Sequence, residues 1–179
     1  MKKEKWRARQ LTAGEIKIAE SIFKNAINYS RVRVHKESYF PFDLQNKDTA
    51  VTPNGEIYFM PKHYESDFSV APNWKQHWFI HEMAHVWQYQ LGLNVKLRGC
   101  LSWAANYRYS LPNYKLIFDY GMEAQASLLA DYFWLKTFDR SGFESVANFE
   151  GIKGPDLLKR YEWVLRGFLS DPSDKRHLP

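Results

Sequence analysis

Residues 79–88 read FIHEMAHVWQ and contain the pattern His-Glu-x-x-His, with His81, Glu82 and His85 at its fixed positions. On a helix, residues four apart lie on one face, one turn from each other, so the two imidazoles can bind one metal ion from the same side. Glu82 follows the first histidine and can reach a water molecule on that ion. The pattern therefore predicts two metal ligands and a general base from a single helical turn.

The sequence around this pattern favours a buried helix. Residues 73–91 predict one continuous helix with Gly92 as its stop, and Asn73 is a suitable N-cap. A helix that is apolar nearly all round is usually buried, and the apolar residues here are Trp78, Phe79, Met83, Val86, Trp87 and Leu91. Two histidines and a glutamate on such a helix are costly unless they have partners. A metal ion would supply those partners; the alternative is a pair of core histidines satisfied by a structural ion pair.

A third metal ligand is expected on a later helix. A catalytic zinc ion normally takes three protein ligands and leaves one position for water. Glu123 is the best candidate, because it lies among apolar residues, where an unpaired carboxylate is expensive. Small residues follow it on roughly the same face, at Ala126 and Ala130, and would let two helices approach closely. The sequence therefore predicts Zn²⁺ bound by His81, His85 and Glu123.

Other polar residues near the predicted ligands keep open roles. Asp119 and Asp131 flank Glu123 and could replace it as the ligand, or could orient a ligand histidine through its second ring nitrogen. His77 precedes His81 by four residues, but the helix carries it too far for one ion to take all three imidazoles. We therefore expect His77 to support the ligand residues without binding the ion, to face the substrate, or to be exposed.

An oxyanion formed during hydrolysis would need a further hydrogen-bond donor, commonly tyrosine, histidine or arginine. Several tyrosines lie between the motif helix and Glu123. Tyr120 and Tyr114 are favoured as catalytic donors, and Tyr107 and Tyr109 lie in the same region of the chain. Packing of these tyrosines in the core is the alternative.

The order of predicted elements indicates an α+β fold, mainly helical, with a small sheet preceding the motif helix. Thr12 and Glu15 form a capping box that opens a helix extending to about Asn28. Strands are predicted at 31–35, 49–52 and 56–60, the last two joined by a hairpin turn at Pro53-Asn54-Gly55. Later helices are predicted from about 114 or 119 to 137, and at 142–149 and 155–169. A single domain at 11–169 lies between a flexible basic arm at 1–10 and a flexible tail at 170–179.

Composition and charge limit the function classes. The net charge of +5 permits attraction to anionic polymers, but the basic residues are scattered and no recognition motif appears, so nucleic-acid binding is not expected. The single cysteine, Cys100, excludes an intramolecular disulfide. No stretch is long and apolar enough to span a membrane, and no apolar run follows the basic N-terminus as in a secretory signal. We expect cytoplasmic synthesis and, for any export, a route that reads no N-terminal signal.

The motif residues His81, Glu82 and His85, with Glu123 downstream, resemble the zincin metallopeptidases of the gluzincin type. The chain also resembles bacterial zincin-like domains associated with type VI secretion and contractile injection systems, over roughly residues 11–137, in particular at 11–15, 52–59 and 79–90. The resemblance implies a minimal zincin-like domain in which a short sheet precedes the active helix. It also implies an edge strand, here 56–60, that holds an extended substrate.

The same resemblance implies a zinc-dependent hydrolase that cleaves a peptide bond with metal-activated water and Glu82 as general base. Its substrate would be a protein or a peptidoglycan peptide, and it would act as a secreted antibacterial effector exported by a type VI-like route. A secretion-apparatus protein or an immunity protein would be its partner. The alternative is a zinc-binding module of a secretion or injection apparatus without catalytic activity, against which the intact Glu82 argues.

Overall fold

The computed structural model describes residues 8–40, 45–95 and 106–179. In these ranges the chain combines helices with one small sheet, which confirms the predicted α+β class. The helices are α1 (Ala13–Phe23), α2 (Asn73–Gln90), α3 (Met122–Phe138), α4 (Phe143–Val146) and α5 (Leu157–Ser170), and the strands are β1 (Val34–His35), β2 (Ala50–Val51) and β3 (Ile57–Phe59). No helix in the described ranges is both long enough and apolar enough to cross a bilayer. Cys100 lies outside the described residues.

Helix α1 begins with the predicted capping box. Thr12 Oγ1 accepts a hydrogen bond from the backbone N–H of Glu15, and the Glu15 carboxylate accepts one from the N–H of Thr12. Glu15 is fully buried, and both of its oxygens lie 2.7 Å from the guanidinium of Arg9. The predicted extension to Asn28 is wrong, because the backbone turns out of the helix at Lys24, which has φ of 50°.

The three strands form a sheet in the order β1-β3-β2. The predicted hairpin is confirmed: β2 pairs antiparallel with β3, with Val51 opposite Tyr58, and Gly55 in the turn has φ of 79°. Strand β1 pairs parallel with the other side of β3. The expectation that 56–60 forms the edge strand is therefore wrong, because β3 is paired on both sides, and β2 is an edge of this sheet.

Helices α2 and α3 form the centre of the core and run beside each other. The motif helix covers the predicted span and is buried on nearly all sides, as expected, but its N-cap is Pro72 and not the predicted Asn73, which is the first helical residue. On α3, Ala126 and Ala130 are fully buried, which agrees with their predicted role in a close helix contact. Helix α3 starts later than predicted, at Met122, because a 3₁₀ turn at Ile117–Asp119 and Gly121 come before it.

The last residues of the chain pack against this helix pair. The indole N–H of Trp87 on α2 donates to Pro172 O at 2.7 Å, and the carboxamide of Gln125 on α3 donates to His177 O at 2.8 Å. Parts of the segment predicted as a flexible tail are thus anchored on the core. The limits of the catalytic domain at 11–169 stay a prediction.

Candidate metal centre

The three predicted metal ligands meet between α2 and α3. Nε2 of His81 lies 3.3 Å, and Nε2 of His85 3.1 Å, from Oε2 of Glu123. One ligand atom from each residue lies within 4.8 Å of the other two, and no other group of three in the described ranges meets this criterion. His85 and Glu123 are buried, and His81 is partly exposed. The two helices therefore place three donor atoms around one largely buried point.

The spacing of these donors fits a zinc ion. Ligand atoms bound at about 2.0–2.1 Å to a tetrahedral zinc lie about 3.3 Å from one another. The two distances from Glu123, 3.1 and 3.3 Å, agree with that value. Two imidazoles and one carboxylate are also a ligand set typical of catalytic zinc, in which a fourth position stays open.

A chain of side-chain amides sets the orientation of His85. Gln88 Nε2 donates to Met122 O and to Gln125 Oε1, both at 3.0 Å, which directs Gln88 Oε1 toward the ring of His85. His85 Nδ1 lies 2.8 Å from that oxygen. Because a carboxamide oxygen only accepts, Nδ1 carries a hydrogen, which leaves Nε2, the nitrogen that faces Glu123, as the atom available to a metal ion.

The electrostatics of the metal-free cluster favour a positive charge beside Glu123. Burial alone would lower the pKa of His85, but the carboxylate of Glu123, with help from Glu82, raises it to about 9. Burial alone would raise the pKa of Glu123, but His85 and His81 hold the pKa of that carboxyl well below its ordinary value. A proton on His85 thus balances Glu123 when no metal is bound, and a bound cation would take over that role.

A cavity of about 310 Å³ opens beside the three ligands. Glu82 lies on its wall, is only 3% exposed, and accepts a hydrogen bond of 2.7 Å from Thr52 Oγ1. The other described lining residues come from the sheet, its loops and the start of α3: Tyr39, Phe40, Gln45, Asn46, Thr49, Ala50, Val51, Pro53, Val95, Tyr107 and Met122. The predicted general base and the predicted ligands therefore face one common space.

Among the four tyrosines named from the sequence as candidate donors, the structure brings Tyr107 to the cavity. Its ring stacks on His81 with centroids 6.1 Å apart, and burial, followed by the charges of Glu123 and Glu82, raises the pKa of Tyr107 to about 12. The favoured Tyr114 and Tyr120 do not line the cavity. Tyr114 is 78% exposed, and Tyr120 donates its hydroxyl to Ser110 O at 2.7 Å.

Asp131 and Asp119 do not orient the ligand histidines, so that expectation is wrong. Asp131 is fully buried and accepts hydrogen bonds from three donors: His77 Nε2 at 2.7 Å, Tyr109 OH at 2.5 Å and the backbone N–H of Asn148 at 3.2 Å. Asp119 caps a 3₁₀ turn by accepting from the N–H of Leu116. His77 therefore belongs to a separate buried network between α2 and α3.

Comparison with known proteins places the chain in a family. The effector domain of Pseudomonas aeruginosa VgrG2b matches it with a TM-score of 0.67 and 36% sequence identity, over 80% of this chain and 85% of that one. The chain belongs to the family of the VgrG2b effector domain. The type VI secretion system spike protein VgrG2b of Pseudomonas aeruginosa is 41% identical over 132 residues, which are 70% of this chain and 13% of the spike protein. No family profile matches the chain.

Kinship with the VgrG2b effector domain supports an effector role in type VI secretion. The chain spans only about an eighth of the length of the whole VgrG2b spike protein, to judge from the 13% that is matched. The relationship therefore concerns the effector portion of that protein.

Two residues of this centre were not predicted from the sequence: Thr52 and Gln88. Gln88 lies three residues after His85, within the motif helix, so its position next to the ligand follows from helix geometry. Thr52 is 30 residues from Glu82 in the chain. No local pattern predicts that contact, because it depends on how the hairpin packs against α2.

Proposed function

We propose that this chain is a zinc-dependent peptidase of the gluzincin type, which acts as a type VI effector on a protein or on cell-wall peptides. One observation carries the proposal: donor atoms of His81, His85 and Glu123 lie within 4.8 Å of one another and face the same cavity as Glu82, a buried carboxylate next to His81 on the motif helix. Kinship with a type VI effector domain supports the effector role. Export by that system, and binding to a secretion-apparatus or immunity protein, belong to the same proposal.

His81, His85 and Glu123 would hold the ion through the nitrogen and oxygen atoms that already converge. When bound, zinc would supply Lewis-acid polarisation of the substrate carbonyl and would make a water molecule more acidic. Glu82 would take the proton from the attacking water and deliver it to the leaving amine. Since Thr52 Oγ1 donates to Glu82 Oε2, the proton would be held at Oε1.

Two further features of the cavity suit peptide hydrolysis. The hydroxyl of Tyr107 could donate to the carbonyl oxygen as negative charge develops there, and its raised pKa keeps it a donor at neutral pH. Strand β2 is an edge of the sheet, and its residues Ala50 and Val51 line the cavity. An extended substrate could pair with that edge through its backbone.

Metal content and hydrolysis, measured on four proteins, test the proposal. Wild type purified without chelator is expected to contain one zinc per chain by elemental analysis, and His81→Ala none. Glu82→Gln is expected to keep the zinc and lose at least a hundredfold in kcat on quenched peptide libraries or peptidoglycan, since it cannot accept the proton. The exposed Glu162→Gln on α5 is the matched control and is expected to behave as wild type.

The possible results separate the rival functions. Wild type without stoichiometric zinc would overturn the metal site. Zinc binding with no hydrolysis above the level of Glu82→Gln would favour the zinc-binding module of a secretion apparatus over the peptidase.

A further inference from the structure

The hydroxyl of Thr52 makes a hydrogen bond of 2.7 Å with the carboxylate of Glu82, and both side chains are buried, at 4% and 3% exposure. Among the described residues, Thr52 is the one hydrogen-bond donor to the carboxylate of Glu82. Glu82 shares the cavity wall with His81, His85 and Glu123. A buried carboxylate beside a metal site has two oxygens of similar basicity, and a single fixed donor decides which one stays available.

The segment that carries Thr52 is itself fixed on the motif helix. Thr52 directly follows the edge strand β2 and begins the turn that leads to Gly55. Gly55 has φ of 79°, and a Cβ atom built on it would lie 2.5 Å from the ring of Tyr89. Tyr89 and Glu82 are seven residues apart on α2, which places them on the same side of the helix. The hairpin thus touches one helix face at two points, two turns apart.

We propose that Thr52 is a positioning residue: its hydroxyl holds Glu82 in the orientation required of a general base, and the contact between Gly55 and Tyr89 keeps the hairpin in place to do so. The proposal rests on the proposed peptidase function. Thr52 directly follows the edge strand β2 and is hydrogen-bonded to Glu82. The strand that could pair with a substrate and the carboxylate that would take the proton from water are therefore fixed relative to each other. Glu82 needs this support because a small error in the position of a catalytic group can reduce the rate by about a hundredfold.

Kinetics of two substitutions at Thr52 test the proposal. Thr52→Val keeps the shape and removes the donor; it is expected to lower kcat at least tenfold, with KM changed less than threefold and zinc content unchanged. Thr52→Ser keeps the donor and is expected to restore kcat to within threefold of wild type. Thr137→Val, the same substitution at an exposed site on α3, is the control. A kcat of Thr52→Val within twofold of wild type, or no recovery in Thr52→Ser, would overturn the proposal.

A double-mutant cycle on the protein as purified separates this proposal from the peptidase function. The urea midpoints of Thr52→Val, Glu82→Ala and the double variant are compared with wild type. Thr52→Val is expected to lower the midpoint when Glu82 is present and to have less than half that effect when it is absent. Equal effects in the two backgrounds would refute the contact, whatever the activity. If the cycle shows coupling between Thr52 and Glu82 but wild type hydrolyses no substrate, the contact is confirmed and the catalytic role of both residues is refuted.

Discussion

Replacement of Asp131 by asparagine tests how the two ligand-bearing helices are held together. Asp131 is fully buried on α3, two turns beyond the ligand glutamate, and it accepts a hydrogen bond from His77, one turn before the first motif histidine on α2. Tyr109 also donates to it and lies 2.5 Å, oxygen to oxygen, from the hydroxyl of Tyr161 on α5. One carboxylate therefore joins α2, α3 and the segment before α3, and reaches α5 through Tyr109.

The size of the effect follows from the three donors that surround Asp131. Asparagine keeps one acceptor oxygen and places an N–H₂ group where the second oxygen accepts from Tyr109. Burial first, and then the charge of Asp131, raise the pKa of Tyr109 well above its ordinary value, so its hydroxyl remains a donor. Hydrogen bonds to charged groups contribute about 1.5–3 kcal/mol each. The second oxygen accepts from Tyr109 and from the N–H of Asn148, and loss of these two hydrogen bonds predicts a fall of about 3–6 kcal/mol in the free energy of unfolding. That is a large part of the roughly 5–15 kcal/mol of a typical domain.

Urea denaturation followed by tryptophan fluorescence measures this change. Asp139→Asn is the matched control, because Asp139 is exposed at the end of the same helix and the substitution is the same. We expect the control to stay within about 0.5 kcal/mol of wild type. If Asp131→Asn differs from that control by less than about 1 kcal/mol, the network does not hold the helices together and the reasoning is refuted.

Three further predictions concern pH, catalysis and the hairpin. In metal-free protein, burial lowers the pKa of His85, but the carboxylate of Glu123 outweighs it and raises that pKa from 6.5 to about 9. The contribution of protonated His85 to the free energy of unfolding is therefore fully present below pH 6.5 and is lost as pH rises through 9. Thermal melts in chelator should show this loss, and His85→Gln should remove it. Tyr107→Phe is expected to lower kcat by about a hundredfold with zinc retained, whereas Tyr120→Phe is not; equal rates would exclude Tyr107 as the donor. Gly55→Ala is expected to lower the urea midpoint more than Gly92→Ala, since both have positive φ but only the first meets a ring; the reverse order would contradict the hairpin packing.

The motif helix and the common face of its two histidines could be predicted from sequence because the signals are local. Gly92 fixes the end of α2 to within one residue, and the four-residue spacing of His81 and His85 fixes their common face. Glu123 could be singled out because burying an unpaired carboxylate among small and apolar residues costs much free energy, so a buried partner was expected. The hairpin was predictable because Asn54-Gly55 suits a tight turn with positive φ.

The remaining features depend on packing between distant segments. Periodicity shows that a strand has a buried face, but it does not show which strand lies beside it, so the parallel partner that makes β3 central could not be predicted. The same limit applies to the choice of Tyr107 over Tyr120. Both lie between α2 and α3 in the sequence, and only the fold directs one of them to the cavity and the other to Ser110 O.

The two carboxamides behind His85 have a consequence for the far end of the chain. Gln88 holds the ring of His85, Gln125 holds Gln88, and Gln125 is itself held by His177 O at 2.8 Å. Cutting the protein after Ser170 would take away one of the two acceptors of the Gln125 amide and leave Ile117 O, at 2.9 Å, as the other. The imidazole of His85 would then be less firmly oriented, although none of the deleted atoms touches it, so trimming at this end would weaken the binding of the proposed ion.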